Sequence, residues 1–480
     1  MTLVGWIAAL LLILGLRDPA AAIAAARDRD QLPGTPPPPL ALVGATLLNG
    51  TGATPLPDAA VLVRGGKIEC AGRSQDCAVA AGVKTIDLTG QWITPGLVDA
   101  HVHFSQTGWV DGRPDAYDVR KLYPYEQVQA RLRSHLEGTF RSYLCSGVTS
   151  VFDVGGYPWT LELIGKDEVD SLAPRVAAAG PLLSTLDFWL NLPGEKQFIY
   201  LKDEAAARAA VRYLVARGAQ AVKVWFIAAP ELDFESMSQA VLAAGAEAQR
   251  QGLPLIVHAT GLKEAKVALR AGARLLVHSV WDQPVDEEFV ALAREHATIY
   301  CPTLTVRQGY ERFFRAVLTR TEPKLDDPNG CLDQEIRRRI AISASLDPAT
   351  VAPVWKTRLE ATDPSRGIAA GNLKRLHQAG VPIAMGTDAG NPLTLHGPAV
   401  YAEMEAMQAA GLTPMEVLVA STRGSARALG RQSELGTIEA GKLADLLILG
   451  ADPTADIANL RQLRYVLRGG VLHSIGELKP

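Results

Sequence analysis

The chain has 480 residues, 48% of them hydrophobic and 21% charged, and carries a net charge of −3. Such a length exceeds one average domain and suits a barrel of about 250 residues with a smaller companion. The near-neutral charge gives no electrostatic footprint for nucleic acid or an anionic membrane surface, which leaves a small molecule as the expected partner.

Residues 3–16, LVGWIAALLLILGL, form an unbroken apolar run followed by Arg17 and the small-residue stretch AAAIAAA. This layout predicts a secretory signal over residues 1–26, cleaved near Ala22 or Ala26, and export to a periplasmic or extracellular compartment. The run is shorter than the ~20 residues of a membrane span, so no stable span is expected after cleavage. No Lys or Arg precedes it, and an uncleaved N-terminal anchor is the alternative. Residues 27–39, ending in PPPP, read as a proline-rich extended linker.

From residue 40, ALVGATLLNG, AAVLVRGGKIECAG and VKTIDLTGQWITPG are short apolar runs broken by Gly and Asp, the texture of strands and hairpins. The same texture returns in KLADLLILG and LRYVLRGGVLH. Residues 40–95 and 433–480 are therefore expected to build one small β-sandwich from both chain ends. The cysteines at 70, 77, 145, 301 and 331 are too few for a disulfide scaffold. In an oxidising compartment Cys70 and Cys77 could close a short loop, with one thiol left free; five buried or semi-buried thiols are an equal reading.

The middle, residues 96–432, alternates apolar strands with helical stretches. The eight strand candidates are GLVDAHVHF, GVTSVFDVG, PRVAAAGPLL, AVKVWFI, PLIVHAT, LLVHSV, ATIYCPTL and PIAMGTDAG. Helices run between them, as in DEAAARAAVRYLVARG, where Val211, Leu214 and Val215 recur at helical spacing. Eight βα units predict a (β/α)8 barrel, in which the active site lies at the C-terminal ends of the strands. Residues 305–375 are longer than one connection needs and read as a helical lid insertion over the mouth.

Six residues fall at those strand ends: His101, His103, Lys223, His258, His278 and Asp388. Side chains alternate along a strand, so the His-x-His pair puts both imidazoles on one face, where they can grip one cation. Four of only nine histidines share this rim. The mixture of imidazole and carboxylate donors suits zinc or a similar divalent ion. Lys223 is flanked by Val222, Val224, Trp225 and Phe226, which would desolvate its amine and lower its pKa. Read without context, it is equally a buried lysine paired with an acid or one snorkelling to solvent.

At TPGLVDAHVHF, the GTDAG box and LGTIEAGKLADLLIL, the chain resembles the amidohydrolase superfamily, on the branch similar to imidazolonepropionase and the metal-dependent dipeptidases, over roughly residues 40 to 475. The resemblance implies two divalent metals, zinc or similar, per chain. His101, His103 and Asp388 would bind one and His258 and His278 the other. Lys223 would bridge both as a carbamate, N6-carboxylysine. A cation lowers the pKa of its bound water from about 15.7 to around 7, and Asp388 would take that proton and deliver it to the leaving nitrogen.

The reaction expected is hydrolysis of an amide bond by a metal-bridging hydroxide, in a dipeptide or N-acyl amino acid. A lactone, ester or cyclic amide fits the same site. A non-catalytic metal-binding scaffold is the reading least favoured, because no ligand is missing. The stretch GPLLSTLDFWLNLPGEKQF lacks the histidine that dipeptidase-like relatives often carry there. Tyr157, Trp225 and His396 are the candidate substrate contacts, with Trp159 and Tyr310 as further aromatic wall, and Asp99 is a candidate outer-shell group. A homo-oligomer is left open.

Overall fold

Apolar alternation at both chain ends resolves into one eight-stranded sheet in the computed structural model, which describes residues 36–480 apart from 167–169, 189, 229–230 and 362. The expected signal at 1–26 and most of the linker lie outside the described residues. The order across the sheet is Val471–Ser474, Leu463–Arg468, Leu446–Leu449, Trp92–Pro95, Leu40–Leu47, Leu56–Arg64 and Lys67–Arg73, with Lys84–Asp87 also paired to Leu40–Leu47. Strand Leu40–Leu47 changes partner along its length. Its first half pairs with Lys84–Asp87 and its end with Trp92–Pro95. Between them Gly44 sits at φ +80, where a Cβ would come within 2.6 Å of Thr89 Oγ1; only glycine turns the strand at that point. Leu42, Val61, Ile93, Leu446, Ile448 and Leu467 close a core on this sheet.

The middle of the chain is α/β, its strands parallel. Leu97–Val102, Val148–Asp153 and Arg175–Ala178 form one sheet, and Phe198–Tyr200, Leu182–Ser184, Val222–Trp225, Leu255–His258, Ala273–Val277 and Ile299–Cys301 another. The expected strand PRVAAAGPLL is split in two, because Gly180 at φ 69 breaks the extended path. Among the described residues PIAMGTDAG makes only isolated bridges: Tyr300 to Ile383, Val102 to Ala389 and Ala389 to Asn391. Its backbone is nonetheless bonded on both sides: Ala384 N–H donates to Tyr300 O, Ala100 N–H to Met385 O, and Asp388 N–H to His101 O. The segment carrying Asp388 thus lies between the Ile299–Cys301 strand and the histidine-bearing strand.

Helices cover these strands by burying apolar stripes. Glu204–Ala216 begins at Asp203, whose carboxylate accepts the Ala206 N–H, and turns Ala207, Val211 and Leu214 inward. A buried ion pair joins the two regions: Arg175 Nε lies 2.6 Å from Asp445 Oδ2, and Arg468 Nη1 lies 3.6 Å from the other oxygen. Residues 305–375 hold the helices Val306–Thr319, Gln334–Ala341, Pro353–Glu360 and the start of Ser365–Gln378. They share a core with the loop after the histidine strand, in which Trp109, Tyr117, Phe313, Phe314 and Ile340 pack together. Arg339 pairs with the buried Asp111, and Trp109 Nε1–H donates to Ser343 Oγ at 2.9 Å. The insertion is therefore keyed to the loop that leaves His103. Among the described residues no helix is long and apolar enough to cross a membrane.

Cys70 and Cys77 form a disulfide, and a second joins Cys145 to Cys331 across 186 residues, while Cys301 is free and buried. Spacing gave no sign of the long-range bond, which ties the insertion to the helix Glu137–Cys145. Closing so long a loop restricts the unfolded chain, so Cys331→Ser should lower stability by about 2–4 kcal/mol. Denaturant melts of oxidised wild type and variant would measure this. Equal midpoints at equal slope would show the bond to be energetically idle.

Candidate active site

The strand Leu97–Val102 and its continuation deliver His101 and His103 to one face, as the two-residue period requires. Their Nε2 atoms are 3.3 Å apart. Asp388 Oδ1 completes a triangle, 3.3 Å from His101 Nε2 and 3.1 Å from His103 Nε2. Donor atoms around a tetrahedral zinc with bonds of about 2.0–2.1 Å lie roughly 3.3 Å from one another. The three side chains thus stand at the spacing a shared cation sets. His278 joins them: one ligand atom each from His101, His278 and Asp388 lies within 4.8 Å of the others, so this trio is a cluster able to hold a metal. The His258 ring is 4.2 Å from that of His278, centroid to centroid. All six expected residues converge here, and His103, Lys223, His258, His278 and Asp388 line one cavity of ≈ 250 Å³.

Hydrogen bonds fix which nitrogen faces inward. His103 Nδ1–H donates to the carbonyl of Gly155 at 2.6 Å, leaving Nε2 with a free lone pair. His278 Nδ1 is bonded to Thr303 Oγ1 at 2.7 Å. Burial, and next the nearby Lys223, hold the His101 imidazole well below the usual histidine range; for His258 the same two causes act in that order. His278 is lowered by burial and then by His258. All three are neutral near pH 7, the form in which imidazole binds metal. His101 Nδ1 is buried with no hydrogen-bond partner.

The backbone is strained where these side chains sit. Asp388 has φ 62, His278 φ 73 and Thr303 φ 43, conformations that cost non-glycine residues of order 1–3 kcal/mol and cluster at functional sites. Gly386 permits the approach of the Asp388 segment, since a Cβ there would lie 2.6 Å from Cys301 Sγ and 2.8 Å from His101 Cβ. Asp99 is wholly buried. It accepts from Thr387 N (3.0 Å), Thr387 Oγ1 (2.6 Å) and His101 N (3.2 Å), stitching the two ligand-bearing segments together. Burial pushes its carboxyl up to about 7 against the pull of these donors.

Lys223 is 1% exposed, and no described residue gives its amine a hydrogen bond or ion pair. Burial moves the amine down to about 8, opposed by the attraction of Asp388. Of the expected substrate contacts, Trp225 and Tyr310 line the cavity. Tyr157 and His396 do not. Tyr157 is fully buried with its hydroxyl 3.3 Å from that of Tyr125, and Trp159 packs in the same core. His396 has both nitrogens occupied, Nδ1 by Tyr143 OH at 2.7 Å and Nε2 by Gln106 O at 2.9 Å, and stacks on Phe104. Burial lowers it to about 4, so it is a neutral support beneath the histidine loop. Sequence reasoning missed Thr303, Arg113, Asn391, Arg307 and Arg358 at the site. Their positions in loops and in the 305–375 insertion carry no periodic signal.

The amidohydrolase family profile matches residues 92–472. An imidazolonepropionase of Caulobacter vibrioides is 28% identical over 433 residues, covering 83% of this chain and 89% of the relative. That of Rhizorhabdus wittichii is 27% identical over 442 residues, covering 85% and 92%. Among solved structures, a putative prolidase from Bifidobacterium longum is 25% identical with a TM-score of 0.67, covering 92% of this chain and 95% of its own. A Xaa-Pro dipeptidase with bound methionine in its active site shares the fold at a TM-score of 0.66 and 23% identity, covering 91% and 100%. With its profile match spanning most of the chain and its ligand-type side chains gathered in one cavity, the chain belongs to the amidohydrolase family.

Proposed function

We propose that this enzyme is a metal-dependent hydrolase that cleaves the amide bond of a dipeptide or N-acyl amino acid. The observation that carries the reading is the triangle of His101 Nε2, His103 Nε2 and Asp388 Oδ1, with sides of 3.1–3.3 Å, at the floor of the cavity. In this reading His101, His103 and Asp388 would hold one divalent cation, zinc or similar, and His258 and His278 a second, with Lys223, once carbamylated, as a further anionic ligand. When bound, such ions lower the pKa of water to about 7 and polarise a carbonyl. Asp388 takes the proton of the attacking water on its carboxylate and passes it to the leaving nitrogen. His103 is held for its part by Gly155 O, and His278 by Thr303. Asp99 keeps the two ligand-bearing segments in register.

Lys223 has the environment carbamylation needs. Burial holds this amine at about 8, below the usual lysine range, so far more of it is neutral near physiological pH than of an ordinary lysine. The neutral nitrogen attacks carbon dioxide: an N–C bond forms as one C=O π bond opens onto oxygen, the nitrogen gives a proton to solvent, and an anionic carboxylate-like ligand results. Lys223→Ala should lose activity that added short carboxylic acids partly restore. A fully active variant would remove the carbamate from the mechanism.

The fold reading that supports this site is a closed (β/α)8 barrel over residues 96–432 with the 305–375 insertion as lid, and a β-sandwich from residues 40–95 and 433–480. Hydrogen bonds on both sides of the Asp388 segment support closure. Export is favoured by the N-terminal apolar run and by two disulfides, which persist in oxidising compartments. The function is tested by screening metal-loaded and chelated protein against dipeptides, N-acyl amino acids and lactones. Metal-dependent cleavage of an amide is the expected result. Lactone turnover alone would overturn the amide reading.

A further inference from the structure

Three guanidinium groups line the cavity, those of Arg113, Arg307 and Arg358, against one carboxylate, Asp388. Two of the three are already engaged. Arg113 presents Nε and Nη2 to Asp115 at 2.9 and 2.7 Å and Nη1 to Asn391. Arg307 Nη1 is held by Asp363 at 2.9 Å and Ser365 at 2.6 Å. Arg358 is different. It stands on the helix Pro353–Glu360, and no described residue meets it with a hydrogen bond or ion pair. Its contact is the face of Trp355, one turn earlier, 5.1 Å from the ring centroid. Trp355 in turn stacks on Tyr310 at 5.6 Å. The lid therefore holds an aromatic-backed guanidinium at the rim with its donor fork free.

Another wall of the cavity is apolar. Phe188, Phe198 and Trp225 pack edge to face or tilted with centroids 4.7–5.3 Å apart, and Trp225 is 6.0 Å from the His258 ring. We propose that Arg358 binds the free carboxylate of the substrate, and that the Phe188–Phe198–Trp225 wall takes a bulky apolar side chain and rejects a basic one. The proposal rests on the amide-hydrolase reading above and specifies its substrate as an acyl amino acid with an apolar side chain and an unblocked carboxylate. A planar guanidinium with an open fork matches a carboxylate bidentately. A lysine or arginine side chain would meet the unpaired Arg358 guanidinium and a desolvating aromatic wall, where charge repulsion and lost hydration both oppose it.

The test is calorimetric titration of N-acetyl-L-phenylalanine, its carboxamide and N-acetyl-L-arginine into metal-loaded protein carrying Asp388→Asn to suppress turnover. The free acid should bind about 10-fold or more tightly than the carboxamide, the scale of a charge-assisted hydrogen bond, and also about 10-fold more tightly than the arginine derivative. Adding Arg358→Gln should shrink the acid-over-carboxamide preference below about threefold, and Arg358→Lys should restore part of it. Equal binding of acid and carboxamide, or a preference that survives Arg358→Gln, overturns the role of Arg358. Binding of the arginine derivative as tight as that of phenylalanine overturns the role of the aromatic wall. Failure of the hydrolase reading would look different: the binding preferences would stand while metal-loaded wild type cleaved no amide.

Discussion

Asp388→Asn should lower turnover on the best amide substrate by about 10² to 10⁴, the usual range for loss of a general acid-base group. The carboxamide has the shape of the carboxylate and keeps an oxygen that can face His101 and His103. It cannot accept a proton at neutral pH. The backbone at this position is held independently of the side chain, by Asp388 N–H on His101 O at 2.8 Å and by the Asn391 amide on Asp388 O at 3.0 Å. The φ of 62 also favours the exchange, since asparagine tolerates the left-handed region at least as well as aspartate. The variant should therefore fold, retain more metal than any histidine variant, and fail in proton transfer. Steady-state kinetics with metal content measured on the same sample would check this. Wild-type turnover would mean that the proton moves through another group.

His101→Ala and His258→Ala should each lose both metal and activity, the latter by more than about 100-fold, because even residues that merely orient a ligand cost 10–100-fold in metal affinity. His101 is the more severe loss. Its Nε2 faces both His103 and Asp388, so truncation leaves a neighbouring imidazole and carboxylate without the shared cation. His258 meets the cluster through the His278 ring and Trp225, so its loss should empty one metal position and spare part of the other. Metal stoichiometry distinguishes the cases. Unchanged metal in both variants would show that these histidines are not ligands.

How much of this is legible in the sequence depends on whether a residue's position follows from local periodicity. His101 and His103 share a face because strand side chains alternate, and the spacing alone says so. Lys223 and His258 are legible for a related reason, each sitting in a short apolar strand, Val222–Trp225 and Leu255–His258. His278 and Asp388 lie in the right stretches, yet their φ values of 73 and 62 depart from strand geometry, so no period states where they point. PIAMGTDAG looked like a regular strand and is instead a segment threaded past Cys301 and His101, with Gly386 as the gap that lets it through. Tyr157 and His396, expected as substrate contacts, do not line the cavity, because proximity in sequence to the site says nothing about which way an aromatic ring turns. Packing against Tyr125, Phe104 and Tyr143 decided that. Arg358 and the bond between Cys145 and Cys331 depend on how a long insertion docks, which is a tertiary fact.

Elemental analysis of gently purified protein, read beside amide hydrolysis before and after chelation, decides whether His101, His103, Lys223, His258, His278 and Asp388 build a divalent-metal centre. One to about two equivalents of zinc or a similar ion per chain are expected, with donors for both present in the ligand set, and activity lost on chelation and recovered when metal returns. Less than about half an equivalent, with no metal-dependent activity after reconstitution, would contradict such a centre.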